Sequence, residues 1–75
     1  MIVYKINEIR FLDQLKTGLK TKMVNWSYED GAFVTLEPFY DTYCFYINRQ
    51  FPQPVKEIFS LSYSAISADW VIYEG

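Results

Sequence analysis

The 75-residue chain contains no histidine, so acid–base catalysis near neutral pH would need a carboxylate or lysine with a strongly displaced pKa. Its serines Ser60, Ser62, Ser64 and Ser67 lie in no G-x-S-x-G elbow, and there is no imidazole to activate them. The three glycines stand far apart, which leaves no glycine-rich loop to cradle a phosphate. Cys44 is the only cysteine and sits in the apolar run Tyr43-Cys44-Phe45-Tyr46. It reads as a small buried hydrophobe rather than a nucleophile, and it offers neither an internal disulfide nor a zinc site. Glu29 and Asp30 precede Gly31 in a turn-forming stretch, where solvated acids are ordinary. The expectation is a protein that is not an enzyme and that needs no cofactor or metal.

Binding chemistry is better supplied. Residues 1–22 carry a net charge of +3 and the remainder −5, within a total of −2. That total, with a pI near 4.9, disfavours a general nucleic-acid binder, but the basic N-terminal third suits one or two phosphates. Seven Tyr, six Phe and two Trp exceed what so small a core can enclose. The surplus rings either line strands with their edges in water or face a ligand or a partner. A domain of this length buries only about 60–65% of its unfolded surface, so self-association, as a dimer or tetramer, is the expected supplement to its core.

Several elements must position these groups. Met1 to Ile6 reads as a short strand or arm, and Asn7-Glu8 as a helix N-cap with a first-turn acid. Ile9, Phe11, Leu12, Leu15 and Leu19 recur at three- and four-residue steps, predicting a helix over about 7–17 with one buried face. Gly18 then supplies the left-handed C-cap. Lys20 to Tyr28 alternates as a strand, with Lys20, Lys22, Val24, Trp26 and Tyr28 on one side. Asp30-Gly31 predicts a hairpin turn, followed by a strand from Ala32 to Leu36 that Pro38 ends and a third strand from Tyr40 to Ile47. Phe51-Pro52-Gln53-Pro54 reads as a stiff extended link, Val55 to Phe59 as a strand, residues 62–67 as a short helical turn, and Trp70 to Tyr73 as the last strand. After the helix these links are mostly too short for parallel crossovers. The fold expected is therefore α+β, an antiparallel sheet of four or five strands with the N-terminal helix packed on one face and a short helical turn before the last strand, all in a single domain. No apolar run approaches the roughly 20 residues that span a bilayer. Met1 to Lys5 lacks a signal peptide's apolar region, so a cytoplasmic location is expected.

The series Leu12-x-x-Leu15-Lys16-x-Gly18, Trp26 eight residues later, Gly31-x-Phe33 and terminal Asp69-Trp70-Val71-Ile72 resembles a small phage and prophage domain family. That family includes one class of Thoeris anti-defence proteins and an anti-CRISPR relative. The likeness in order and spacing covers residues 9–73. The chain departs from the family in having Met23 and Val24 where Arg or Lys is usual, Ser64 where an Asp is common in the turn, and Pro54-Val55 in place of a Pro-Trp pair.

The resemblance implies an oligomeric sponge in the host cell cytosol, capturing a cyclic nucleotide immune signal without cleaving it. The signal would be a cyclic ADP-ribose isomer or a cyclic dinucleotide. Such a ligand needs rings for its base, cations for its phosphates and polar groups for its ribose edges. Trp26, Tyr28 and Phe33 are the candidate rings, Lys20, Lys22 and Arg49 the cations, and Asn25, Ser62, Ser64 and Asp69 the polar edges. Trp70 reads first as a core plug, Trp26 as either a core plug or a pocket ring, and Asp69 as either a ligand contact or a strand-end cap. The alternative function is a protein inhibitor that docks on a host defence protein such as a CRISPR nuclease. A viral assembly component is a third reading.

Overall fold

The computed structural model describes residues 2–12 and 18–73. Helix α1 (Ile6–Ile9), strands β1 (Lys20–Met23), β2 (Phe33–Phe39), β3 (Thr42–Arg49) and β4 (Val55–Ile58), helix α2 (Tyr63–Ser67) and strand β5 (Trp70–Ile72) follow in chain order. The five strands form one sheet in the order β4-β3-β2-β1-β5, and every neighbouring pair is antiparallel. The α+β architecture expected from the sequence is therefore present, with a helix near the N-terminus and a short helix before the last strand.

Register assigns the two faces. Val34 lies opposite Ile47 and Leu36 opposite Phe45 on β2 and β3, and these four form the core with Ile6, Ile9, Ala65 and Trp70. Both helices thus bury residues on the same side of the sheet. Trp70 is fully buried and its indole N–H donates to the Ala65 carbonyl at 3.0 Å, which fastens α2 to β5. Ser62 caps α2 by accepting from the Ala65 amide at 3.2 Å, a standard use of a serine at this position. The N-terminal arm also has a job: Tyr4 exchanges two 2.8 Å backbone hydrogen bonds with Trp70, and so covers part of the sheet edge at β5.

Several boundaries differ from the sequence reading, each for a physical reason. Helix α1 starts at Ile6, with Lys5 rather than Asn7 at its cap and no side-chain hydrogen bond there. It ends at Ile9 with Arg10 as its C-cap, and residues 10–12 turn instead of continuing the expected helix; residues 13–17, its later part, lie outside the described residues, and Gly18 takes the left-handed φ of +77°. Strand β1 stops at Met23, not Tyr28, because the Trp26 amide turns back to the Met23 carbonyl at 3.0 Å. That turn delivers the Trp26 ring to the core side, edge-on to Trp70 and Phe59. A 3₁₀ turn over Tyr28–Asp30 then leads to Gly31 at φ +63°, replacing the simple hairpin expected there.

Pro38 does not end β2. The β1 pairing reaches only to Thr35, so among the described residues Pro38 pairs with β3 alone, and a missing N–H is tolerated at such an edge. The β2–β3 hairpin turns on Tyr40 and Asp41, with Tyr40 at φ 53°, a position glycine usually occupies. Residues 51–53 bend, and the Phe51-Pro52 bond is cis, so this link is not extended as expected. No described helix is long and apolar enough to cross a membrane.

Candidate functional site

The face of the sheet opposite the helices divides into two halves. Toward β3 and β4 it is a closed polar network. The Thr35 hydroxyl donates to Glu37 Oε2 at 2.6 Å, Asn48 Nδ2 donates to Thr35 Oγ1 at 3.2 Å, and Lys56 donates to Glu37 while lying 5.2 Å from the Tyr46 ring centroid. Burial pushes the Glu37 carboxyl up, but hydrogen bonds from Lys56 and Thr35 and the Lys56 charge outweigh it, leaving a pKa below the ordinary 4.5.

The sign of the linkage follows from that direction. A depressed folded-state pKa contributes stability that is present above the unfolded value and lost as pH falls through the folded one. Melting temperature recorded from about pH 6 to about pH 3 should therefore fall less steeply in Glu37→Gln than in the unsubstituted protein. The difference will be modest because the pair is part-exposed. Parallel curves for the two proteins would show that Glu37 does not couple to folding.

Toward β1 and β5 the same face is different in kind. Lys20 and Lys22 alternate with buried Thr21, so both point away from the core. Phe33, two residues before Thr35 on β2, joins them. The 3₁₀ turn brings Tyr28 over the same side, and Tyr73, whose amide donates to the Lys20 carbonyl at 2.8 Å, completes the group. The rings run Phe33–Tyr73–Tyr28, with centroids 5.3 and 5.5 Å apart and planes tilted by 29° and 31°. Each outer ring has an ammonium over it, Lys20 at 4.7 Å from the Phe33 centroid and Lys22 at 4.5 Å from that of Tyr28.

The charge state of this cluster is its distinguishing property. Among the described residues, Lys5 pairs with Asp69, Arg49 with Glu57 and Lys56 with Glu37, whereas Lys20 and Lys22 have no carboxylate partner. Lys22 is only 2% exposed; its ammonium donates to the carbonyls of Met23 at 3.0 Å and Val24 at 3.4 Å. Tyr28 remains 53% exposed and Lys20 is also open to solvent. The cluster combines a touchable cation, a buried cation and three rings.

Four of the ten candidate ligand residues, Lys20, Lys22, Tyr28 and Phe33, are thus brought together. Tyr73 was missed, although alternation along the last strand places it with Val71 on the side opposite Trp70. Trp26 does not share a face with Lys22, as the longer strand had required. It lies instead with Arg49 along a groove of about 610 Å³, whose other lining residues are Asp30, Ala32, Ile47 and Phe51. Because Ile47 is a core-side residue, this groove opens on the helix-bearing side of the sheet.

The remaining candidates have other work or stand apart. Asp69 Oδ1 accepts from Lys5 Nζ at 3.1 Å, Ser62 caps α2, Ser64 accepts through its backbone carbonyl from the Ala68 amide, and Asn25 is exposed in the turn after β1. Cys44 is half-buried on the polar half of the open face, opposite Glu37, and no group of acids, cysteines or histidines suited to a metal occurs among the described residues. No family model, curated protein or solved structure matches the chain.

Proposed function

We propose that this protein is a non-catalytic binder that sequesters an anionic nucleotide signal, of the cyclic ADP-ribose or cyclic dinucleotide class, on the open face of its sheet. The observation that carries the reading is the pair Lys20 and Lys22, two neighbouring cations with no carboxylate partner among the described residues, set on the rings of Phe33 and Tyr28. Holding an ammonium out of water without a counter-ion costs folding free energy. Carbonyl and ring contacts offset part of that cost, and an arriving phosphate would offset more. The aromatic cluster supplies flat apolar surface beside the charge, which is what a nucleobase needs. The resemblance to phage anti-defence sponges points to the same ligand class, and a self-associating host-cytosolic protein is part of the proposal.

Calorimetric titration tests it directly. A cyclic ADP-ribose isomer or a cyclic dinucleotide should bind with one site per chain and be recovered intact after heat denaturation, as mass spectrometry of the released ligand would show. Absence of binding heat with every member of both classes would remove the reading.

A second reading has its own observation. The β2–β3 hairpin tip presents Tyr40, 92% exposed and in a left-handed conformation, next to Phe39 and near exposed Tyr43 and Asp41. A protruding acidic–aromatic tip suits an inhibitor that docks on a protein target, since exposed aromatics are enriched at interface hot spots.

A further inference from the structure

The open-face cluster differs from an enclosed ligand pocket in a way that bears on what it can discriminate. Its cations are Lys20 and Lys22, two residues apart on one strand, so their Cα atoms lie about 7 Å from each other at a rise of ~3.4 Å per residue. One is exposed and able to touch a ligand oxygen; the other is buried beneath Tyr28, where its field is less screened by salt and water. Both act on charge. The rings Phe33, Tyr73 and Tyr28 act on flat apolar surface. None of these contacts registers how the far ends of a ligand are joined. Reading ring closure takes walls that enclose most of the ligand; among the described residues Tyr28 and Lys20 stand open to solvent, and the groove along Trp26 and Arg49 lies on the other side of the sheet.

We infer that the cluster recognises a nucleoside diphosphate by its two negative charges and its base, and that it is indifferent to whether the ligand is cyclic or linear. The inference rests on the binding reading above and narrows it: linear ADP-ribose is as good a ligand as its cyclic isomer. The two phosphoryl groups sit near Lys20 and above Lys22, and the base lies along the exposed side of Tyr28 and Tyr73. A sequestering protein of this kind lowers the free concentration of both the signal and its linear relatives.

Titration of the full chain with linear ADP-ribose, cyclic ADP-ribose and adenosine separates the possibilities. The two diphosphates should bind within about threefold of each other, and adenosine at least about tenfold more weakly, the loss of charge-assisted contacts. Lys20→Gln, an exposed substitution that leaves the core untouched, should weaken both diphosphates about equally, by roughly tenfold, without changing the circular dichroism spectrum. A preference of tenfold or more for the cyclic ligand would overturn the inference while leaving sequestration standing. Adenosine binding as tightly as the diphosphates would overturn the two-charge recognition. Failure of all three to bind would overturn the inference; sequestration itself fails only if cyclic dinucleotides and the other cyclic isomers are silent as well.

Discussion

Trp70→Ala should abolish cooperative unfolding at room temperature, or reduce the stability to a small residue of its original value. The side chain has no solvent exposure and meets Trp26 and Phe59 edge-on, at centroid distances of 5.4 and 5.7 Å. Truncating a buried tryptophan costs about 3–5 kcal/mol. The substitution also strips the Ala65 carbonyl of its indole donor, and an unsatisfied buried acceptor adds about 1–3 kcal/mol. A chain of this length has on the order of 4–11 kcal/mol in total at the usual stability per residue. The substitution also frees α2, which the indole fastens, while the backbone pairing of Tyr4 with position 70 does not depend on the side chain.

Urea titration followed by far-ultraviolet circular dichroism measures the effect, and Trp70→Phe provides the graded control. The phenylalanine keeps most of the apolar contact and loses the donor, so its cost should fall well below that of alanine. A Trp70→Ala protein that unfolds cooperatively within about 1 kcal/mol of the original would mean that the core does not depend on this ring.

In the sequence Trp70 reads as a core residue ahead of a pocket one, whereas Trp26 stands between the two. What separates the tryptophans is tertiary. Trp26 leaves the strand because its ring gains more from Trp70 and Phe59 than it would from a place on the open face, and no local pattern records that competition. Periodicity did carry the strands themselves, their antiparallel pairing and the position of α2, because hydrophobic alternation and connection length are local quantities. The boundaries failed where local preference and global position disagree. Pro38 is acceptable only because β1 is too short to flank it, and Tyr40 occupies a left-handed turn position only because β2 and β3 are in register on both sides of it.

The candidate site shows the same division. Lys20 and Lys22 follow from alternation on a single strand, and Phe33 from the hairpin expected after Gly31. Tyr28 arrives by a different route, through the 3₁₀ turn, and Tyr73 from the far end of the chain. The pairing of Asp69 with Lys5, 64 residues away in sequence, was beyond any spacing argument. So was the finding that no described carboxylate pairs with Lys22, which depends on where distant acids come to rest.

That absence gives Lys22→Met two expected consequences of opposite character. The methionine preserves the apolar stem that packs against Tyr28 and removes a buried charge, a change that is commonly neutral or stabilising when the replacement is close in shape. The backbone loses little. The Met23 carbonyl keeps its hydrogen bond from the Trp26 amide, and the contact to the Val24 carbonyl is a long one at 3.4 Å, at a residue with solvent access. Stability should therefore stay level or rise, with a melting temperature no lower than about 4 °C below the original, the shift expected for less than 1 kcal/mol in a domain this small.

Affinity should move the other way. Removing the buried charge beneath Tyr28 takes away its long-range attraction for the phosphates and should weaken nucleotide binding by up to about tenfold. Its salt dependence should also become shallower, because fewer fixed charges then contribute. Thermal melting and titration at two salt concentrations, made on the same preparation, decide between the roles of this ammonium. A steep fall in melting temperature with unchanged affinity would make Lys22 a structural group and move the site to the groove beside Trp26 and Arg49.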